Sequence, residues 1–259
     1  MTIFSRTSVA MVNDLAFHYS QNTMPKKIFR SSFYFAGAFL SVFVFTRVWT
    51  LTQVKAQELT LENAKPCQTI VIGFVGGIRS PEDLSQGVVQ IGNRLKSFNQ
   101  SELQVGIYSH WSWQSVYQKI HKIIDQNRDE KLSQDEIRLA PKIIIYGHSL
   151  GGWAVVKLSR KLEKHGIPVE LTVQLDSVGP GDVVVPSNVK TAVNYYQRTI
   201  PLLRGEKQIS AADVNKTNVE GNFLIKDVGH EALARRTEIS DFISDKVRHS
   251  LMWDIAINR

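Results

Sequence analysis

The hexapeptide Gly-His-Ser-Leu-Gly-Gly at residues 147–152 is the segment whose residue types and spacing point most directly to chemistry. It follows the apolar run Lys142–Tyr146 and precedes apolar residues at helical spacing. In a tight turn from strand to helix, side chains two residues before or after the serine would collide with the backbone, so glycine is required there. Such a turn raises the hydroxyl group above the sheet and directs helix N–H groups at a developing oxyanion. The segment therefore predicts that Ser149 is the nucleophile of an acyl transfer.

An acid is needed to orient the base that activates this serine, and it is expected at the end of a later strand. The apolar run Val169–Leu175 ends at Asp176, at the edge where a parallel sheet presents catalytic groups. We therefore predict Asp176 as the acid, with Asp182 and then Asp227 as alternatives. A purely structural role, in which Asp176 binds the N–H groups of its own turn, is the other interpretation.

The base is expected to be a histidine that follows the acid in the chain. Of the seven histidines, only His230 and His249 do so. His230 follows the predicted strand Asn222–Lys226 and begins a helical stretch, whereas His249 lies among charged residues near the end of a terminal helix. We predict that His230 carries the proton and that Asp176 fixes its tautomer.

The hexapeptide resembles the nucleophile turn of α/β-hydrolase lipases, esterases and thioesterases, and the resemblance extends from Thr69 to about Ile243. It implies an oxyanion hole formed by the N–H of Leu150 and an N–H in the loop after the first strand, from Gly76 or Gly77, of which we select Gly77. That loop reads Gly76-Gly77 where many relatives have a His-Gly pair. The implied fold is α/β, a three-layer α/β-hydrolase sandwich with a mainly parallel central sheet and a minimal lid or none.

The activity that the resemblance implies is hydrolysis of a carboxylic ester, from a small molecule or a lipid, with no required cofactor. A thioesterase or an amidase would use the same three residues, and the sequence does not separate these reactions. A non-catalytic binding module on the same scaffold is the alternative from a different functional class, since a fold alone does not establish a function.

Short apolar runs alternate with amphipathic helical patterns from Gln57 onward, which predicts a mainly parallel sheet covered on both faces. The motif Ser-Pro-Glu-Asp at residues 80–83 predicts a helix start, because it combines a capping serine with a proline and acids in the first turn. Six segments are predicted to be strands: Thr69–Phe74, Gln104–Tyr108, Lys142–Tyr146, Val169–Leu175, Thr191–Tyr196 and Asn222–Lys226.

A second motif, at residues 125–136, resembles the twelve-residue calcium loop of an EF-hand. Position 6 of such a loop is normally glycine, whereas Glu130 stands there, and the sequence contains no second loop to pair with it. Two interpretations remain, a structural calcium site and a polar linker. The calcium ligands would be Asp125, Asn127, Asp129, Ser133 and Glu136 through their side chains and Lys131 through its main-chain carbonyl.

The formal net charge of +7 comes mainly from residues 1–56, which contain six basic residues and one acidic residue. The remaining chain is therefore close to neutral and lacks the basic surface expected of a nucleic-acid-binding protein. Cys67 is the one cysteine in the sequence, so an internal disulfide is excluded.

The same N-terminal segment has the organisation of a secretory signal peptide. The basic residues Lys26, Lys27 and Arg30 precede the uncharged stretch 31–46, and Val54-Lys55-Ala56 offers a cleavage site before Gln57. An uncleaved membrane anchor at residues 31–51 and a buried helix of the fold are the alternatives. The first two interpretations place the domain 57–259 outside the cytoplasm, either exported (periplasmic or secreted) or anchored to the membrane.

Overall fold

A computed structural model describes residues 69–201 and 203–257, with side chains placed up to residue 252. The leader 1–56, with its signal-peptide and anchor interpretations, lies outside the described residues, as does Cys67. These assignments stay predictions. Among the helices that are described, none is both long enough and apolar enough to cross a membrane.

A six-stranded sheet forms the centre of the domain, and all of its neighbouring strands are parallel. The strands are β1 (Thr69–Val75), β2 (Leu103–Ser109), β3 (Lys142–His148), β4 (Val169–Leu175), β6 (Val189–Tyr196) and β8 (Asn218–Leu224). Their order across the sheet is β2-β1-β3-β4-β6-β8. The parallel sheet expected from the sequence is therefore confirmed.

The predicted bounds of the sixth strand were wrong, because β8 begins four residues earlier than Asn222 and ends before Lys226. Among the strands of the described residues, β8 is at the edge of the sheet and pairs with β6, and none of its residues is fully buried. A half-exposed edge strand lacks the continuous apolar run that marks a central parallel strand, so the apolar residues indicated only its end.

Helices cover both faces of the sheet, as a three-layer sandwich requires. The helices are α1 (Gly87–Lys96), α2 (Trp113–Ile124), α3 (Gln134–Arg138), α4 (Leu150–Glu163), α5 (His230–Leu233) and α6 (Thr237–Ile257). One apolar cluster joins the sheet to α1 and α6, and a second joins the opposite face to α2 and α4. The expected three-layer α/β sandwich with a mainly parallel central sheet is confirmed by this arrangement.

The predicted helix start at Ser80 was wrong, because residues 80–86 form turns and α1 begins at Gly87. The Asp83 carboxylate accepts the N–H of Ser85, which closes a local turn in place of a helical one. Gly87 then allows a close approach, since a β-carbon there would lie 2.2 Å from the carbonyl oxygen of Ala234.

Two short strands that the sequence did not predict, β5 (Val184–Val185) and β7 (Ser210–Ala211), pair with each other beside the main sheet. They lie within the connections 176–188 and 197–217. Between β4 and β8, the described residues contain no helix. A minimal lid or none stays the expectation.

Candidate active site

Ser149 stands at the junction of β3 and α4, where the chain turns sharply. Its backbone angles are φ 59° and ψ −126°, a conformation that side-chain-bearing residues rarely adopt. The strained turn is held by hydrogen bonds to β4 and to the loop after it, because the N–H of Ser149 donates to the carbonyl of Leu175 and the carbonyl of Ser149 accepts the N–H of Val178. The predicted strained turn is thus present at the serine.

The two glycines that flank the serine at a distance of two residues leave no space for a side chain. A β-carbon on Gly147 would lie 2.3 Å from the carbonyl oxygen of Gly151, and one on Gly151 would lie 2.0 Å from that of Phe74. The turn therefore brings β3, α4 and β1 into backbone contact. This is the steric requirement that the Gly-x-Ser-x-Gly spacing indicated.

Asp176 follows β4 directly and is fully buried. Its Oδ2 atom lies 2.7 Å from His230 Nδ1 and also accepts the side-chain amide of Gln197 at 2.9 Å. Its Oδ1 atom accepts the N–H groups of Gly205 and Gln197. The carboxylate of Asp176 therefore accepts hydrogen bonds at both oxygens, and all of these donors lie more than twenty residues away in the sequence.

The hydrogen bonds to Asp176 keep it ionised despite its burial. Burial by itself acts to raise the pKa of Asp176, but the hydrogen bonds from His230, Gln197 and Gly205 together outweigh it and leave that pKa below its ordinary value. An ionised acceptor favours the tautomer of His230 that carries its proton on Nδ1. The Nε2 atom of His230 is then left free to accept a proton.

His230 is the first residue of the short helix α5, and its side chain is almost fully buried. His148, the residue before the predicted nucleophile, lies against it. The Nε2 atom of His148 is 2.8 Å from the carbonyl oxygen of His230, and the two ring centroids are 4.5 Å apart. The predicted acid and base are thus in direct contact, and the chain at the serine contacts the backbone of the base.

The alternative residues occupy other positions. Asp182 is buried, but its carboxylate accepts a hydrogen bond from Ser177, and burial raises its pKa. Asp227 and His249 are exposed. Of the candidates named from the sequence, Asp176 and His230 are the pair joined by a hydrogen bond.

The loop after β1 packs on the nucleophile turn. A β-carbon on Gly76 would lie 2.8 Å from the β-carbon of Ser149 and 3.0 Å from the nitrogen of Leu150. Leu150 begins α4, so its N–H has no acceptor within the helix. Gly77 has φ 57° and open space around its Cα atom. The assignment of the N–H groups of Leu150 and Gly77 to an oxyanion hole stays a prediction.

Sequence reasoning missed Gln197, whose side chain binds both the acid and the following loop. Besides Asp176, its amide contacts the carbonyl of Leu203 and the N–H of Ile200. Gln197 follows β6 and carries no motif, so no local signal could have identified it. Gly205 was missed for the same reason, although a β-carbon there would lie 2.5 Å from Asp176 Oδ1.

The acidic loop 125–136 directs its carboxylates at its own backbone. Asp125 accepts the N–H groups of Asp129 and Glu130, and Glu136 accepts those of Gln126 and Asn127. The same holds for the rest of the loop. The carboxylate of Asp129 accepts the N–H of Lys131, and that of Glu136 also accepts the N–H of Ser133.

Glu130 has φ 64°, the left-handed conformation for which an EF-hand uses glycine. Among residues 69–201 and 203–257, no group of three or more His, Cys, Asp or Glu side chains is arranged to hold a metal ion. The calcium site at this loop stays a prediction.

Several large apolar side chains are exposed in the segments that follow β1, β2 and β6. Ile78 is fully exposed two residues after Gly76, and Trp111 follows the carboxyl end of β2 and is 71% exposed. Ile200 lies next to Gly229, where a β-carbon would be 3.7 Å from it. We call Ile78, Trp111, Ile200 and Leu203 the apolar rim.

No family model matches the sequence, and no curated protein matches it either. Three solved structures resemble the fold at low identity. RedJ, a thioesterase of prodiginine biosynthesis in Streptomyces coelicolor, is 12% identical over 72% of this chain and 97% of its own, with a TM-score of 0.45. The type II thioesterase BorB of the borrelidin biosynthetic cluster is 10% identical over 71% of this chain and 94% of its own, with a TM-score of 0.40.

A serine hydrolase without a lid from Xanthomonas campestris is 12% identical over 73% of this chain and 83% of its own, with a TM-score of 0.37.

Proposed function

We propose that this protein is a serine hydrolase that cleaves carboxylic esters, with Ser149 as nucleophile, His230 as base and Asp176 as acid. The observation that carries the proposal is the hydrogen bond between the buried side chains of Asp176 and His230. Ser149 lies in a strained turn between strand and helix, and the residue before it, His148, contacts the main chain of His230. The predicted order of serine, acid and histidine along the chain supports it.

The proposed reaction assigns each of these residues one role. Ser149 Oγ attacks the ester carbonyl carbon while its proton passes to His230 Nε2, and Asp176 stabilises the resulting imidazolium. The C–O bond to the alcohol then breaks, and His230 returns the proton to the departing oxygen. Water repeats these steps on the acyl-enzyme and releases the carboxylic acid. The N–H groups of Leu150 and Gly77 would bind the oxyanion in both halves of the reaction.

The apolar rim supports an ester whose acyl group is itself apolar. Its four side chains are exposed, and contact with an aliphatic or aromatic group would remove their apolar surface from water. The substrate in this proposal is therefore a small-molecule or lipid ester with an apolar acyl group.

The test is to incubate the purified full chain with a fluorophosphonate probe and locate the adduct by mass spectrometry. We expect labelling at Ser149, and we expect both Ser149→Ala and His230→Ala to abolish it. His249→Ala serves as the matched control, because His249 is an exposed histidine and should leave labelling unchanged. Folding of each variant is verified by circular dichroism.

Ester, thioester and amide substrates with the same acyl group then identify the preferred bond, and the proposal expects the ester to be cleaved fastest. Folded protein that remains unlabelled would contradict the proposal and favour the binding module. Faster cleavage of the thioester would keep the triad and replace the proposed substrate class.

A further inference from the structure

His148 is the buried titratable side chain closest to the proposed triad that the reaction above does not use. It is 4% exposed and lies at the end of β3, directly before Ser149. Its Nε2 atom lies 2.8 Å from the main-chain carbonyl oxygen of His230. A carbonyl oxygen can only accept a hydrogen bond, so Nε2 of His148 must carry a proton and donate it.

This hydrogen bond spans 82 residues of sequence and joins the two elements that hold the nucleophile and the base. His230 is the first residue of α5, a helix with one turn and no side-chain cap at its N-terminal Gly229. A helix this short has little stability of its own, so its orientation depends on contacts from outside it. The donor from His148 is such a contact, made at the base residue itself.

The rings of the two histidines are also in contact. Their centroids are 4.5 Å apart and their planes are inclined by 41°. The imidazole of His230 is thus held by Asp176 at Nδ1 and by the ring of His148 on another side. Two contacts with one neighbouring side chain restrict both the main chain and the ring of the base.

We infer that His148 is a positioning residue, which acts as a neutral Nε2–H donor and holds His230 in register with Asp176 and Ser149. This inference rests on the proposed function, because it assigns His148 a role in that same site. The steric argument for the turn explains why residues 147 and 151 are glycine, but it does not explain why residue 148 is histidine. The positioning role provides that explanation.

The neutral state of His148 matters because His230 becomes positively charged when it accepts the proton from Ser149. A second charged imidazole at a ring distance of 4.5 Å would oppose this step. The groups that act on His148 are His230, Asp176 and Glu231, and burial together with the charge on His230 lowers the pKa of His148 to about 4. His148 therefore stays uncharged at neutral pH.

The test compares two substitutions in the full chain. His148→Phe keeps a ring of similar size but removes the donor, and His148→Gln keeps an N–H donor of similar reach. We expect His148→Phe to lower kcat on a soluble p-nitrophenyl ester by about tenfold or more while KM changes by less than about twofold. We expect His148→Gln to stay within about threefold of the wild type in kcat. His165→Phe, which replaces an exposed histidine, is the control.

Histidine-selective nitrogen NMR of the wild-type protein provides a readout that needs no variant. We expect the Nε2–H tautomer of His148 and no titration of its ring between about pH 5 and 8. The Nδ1–H tautomer, or a ring that becomes charged in this range, would overturn the inference, as would equal losses of kcat in the Phe and Gln variants. Wild-type protein that a fluorophosphonate does not label would refute the proposed function. Labelling that His148→Phe leaves unchanged would refute only the role of His148.

Discussion

Two parts of this molecule contain carboxylates bound by several N–H groups, together with non-glycine residues of positive φ. The first is the carboxyl edge of the sheet, where Ser149 and Asp176 have φ values of 59° and 43°. The second is the acidic loop, where Arg128 and Glu130 have φ values of 61° and 64°. Neither the hydrogen-bonded carboxylates nor the positive φ values therefore distinguish the two regions.

The difference lies in where the hydrogen-bond donors come from. Asp176 is bound by His230, 54 residues away, and by Gly205, 29 residues away. Glu136 is bound by residues at most ten positions distant. The acidic loop can therefore organise its carboxylates by itself, whereas the carboxylate at the sheet edge is held by the tertiary fold. Strain that distant contacts support is typical of a functional site.

The largest expected effect comes from Asp176→Asn. An amide cannot stabilise the imidazolium and favours the wrong tautomer of His230, so we expect kcat to fall by about 10³- to 10⁴-fold. Asp182→Asn is the matched control, since Asp182 is also buried beyond β4 but binds Ser177. We expect it to retain kcat within about tenfold. Equal losses in the two variants, measured on one soluble ester, would remove the distinction between these carboxylates.

A second comparison uses the adjacent glycines of the β1 loop. Gly76→Ala would place a β-carbon 3.0 Å from the nitrogen of Leu150 and 2.8 Å from the β-carbon of Ser149. We therefore expect this substitution to distort the nucleophile turn and to abolish labelling by a fluorophosphonate. Gly77→Ala meets open space and costs only the strain of a positive φ, about 1 kcal/mol in the free energy of unfolding. Normal labelling of Gly76→Ala would show that the turn tolerates the displacement.

The two carboxylates should also differ in how acid affects stability. Both have lowered pKa values, so each stabilises the fold above its unfolded pKa and loses that contribution as pH falls through its folded pKa. For Glu136, hydrogen bonds from Ser133 are the main cause and the pKa is about 2, so the loss occurs between about pH 4.5 and 2.

We expect Glu136→Gln and Asp176→Asn each to flatten the fall of the free energy of unfolding in acid, measured by urea denaturation. Added salt should weaken the Glu136 contribution more, because Glu136 is 9% exposed whereas Asp176 is fully buried. An identical salt response in the two variants would contradict this difference in the burial of the two carboxylates.

The smallest expected effects concern calcium at the acidic loop. The calcium interpretation predicts that added calcium raises the melting temperature of the wild type, and that Glu130→Gly increases the effect because glycine adopts φ 64° without strain. Asp125→Asn should abolish it, and magnesium is the control ion. A melting temperature that calcium leaves unchanged in both the wild type and Glu130→Gly would favour the polar linker.

The sequence alone predicted the elements that depend on local patterns. Continuous apolar runs predicted five strands and the parallel sheet. The flanking glycines predicted the sharp turn at Ser149, because backbone atoms lie too close to them to leave room for a side chain. The edge strand β8 and the start of α1 were placed wrongly, since a half-exposed strand and an Asx turn resemble other local patterns.

Tertiary structure decided which side chains meet. The contact of Asp176 with His230 was a prediction from chain order, and only the fold brought their atoms to 2.7 Å. Gln197, Gly205 and His148 could not have been assigned at all, because their contacts with the acid and the base cross from one strand end to another. Apolar periodicity determines where a strand ends, but the register between strands and the path of the loops determine which polar groups face each other there.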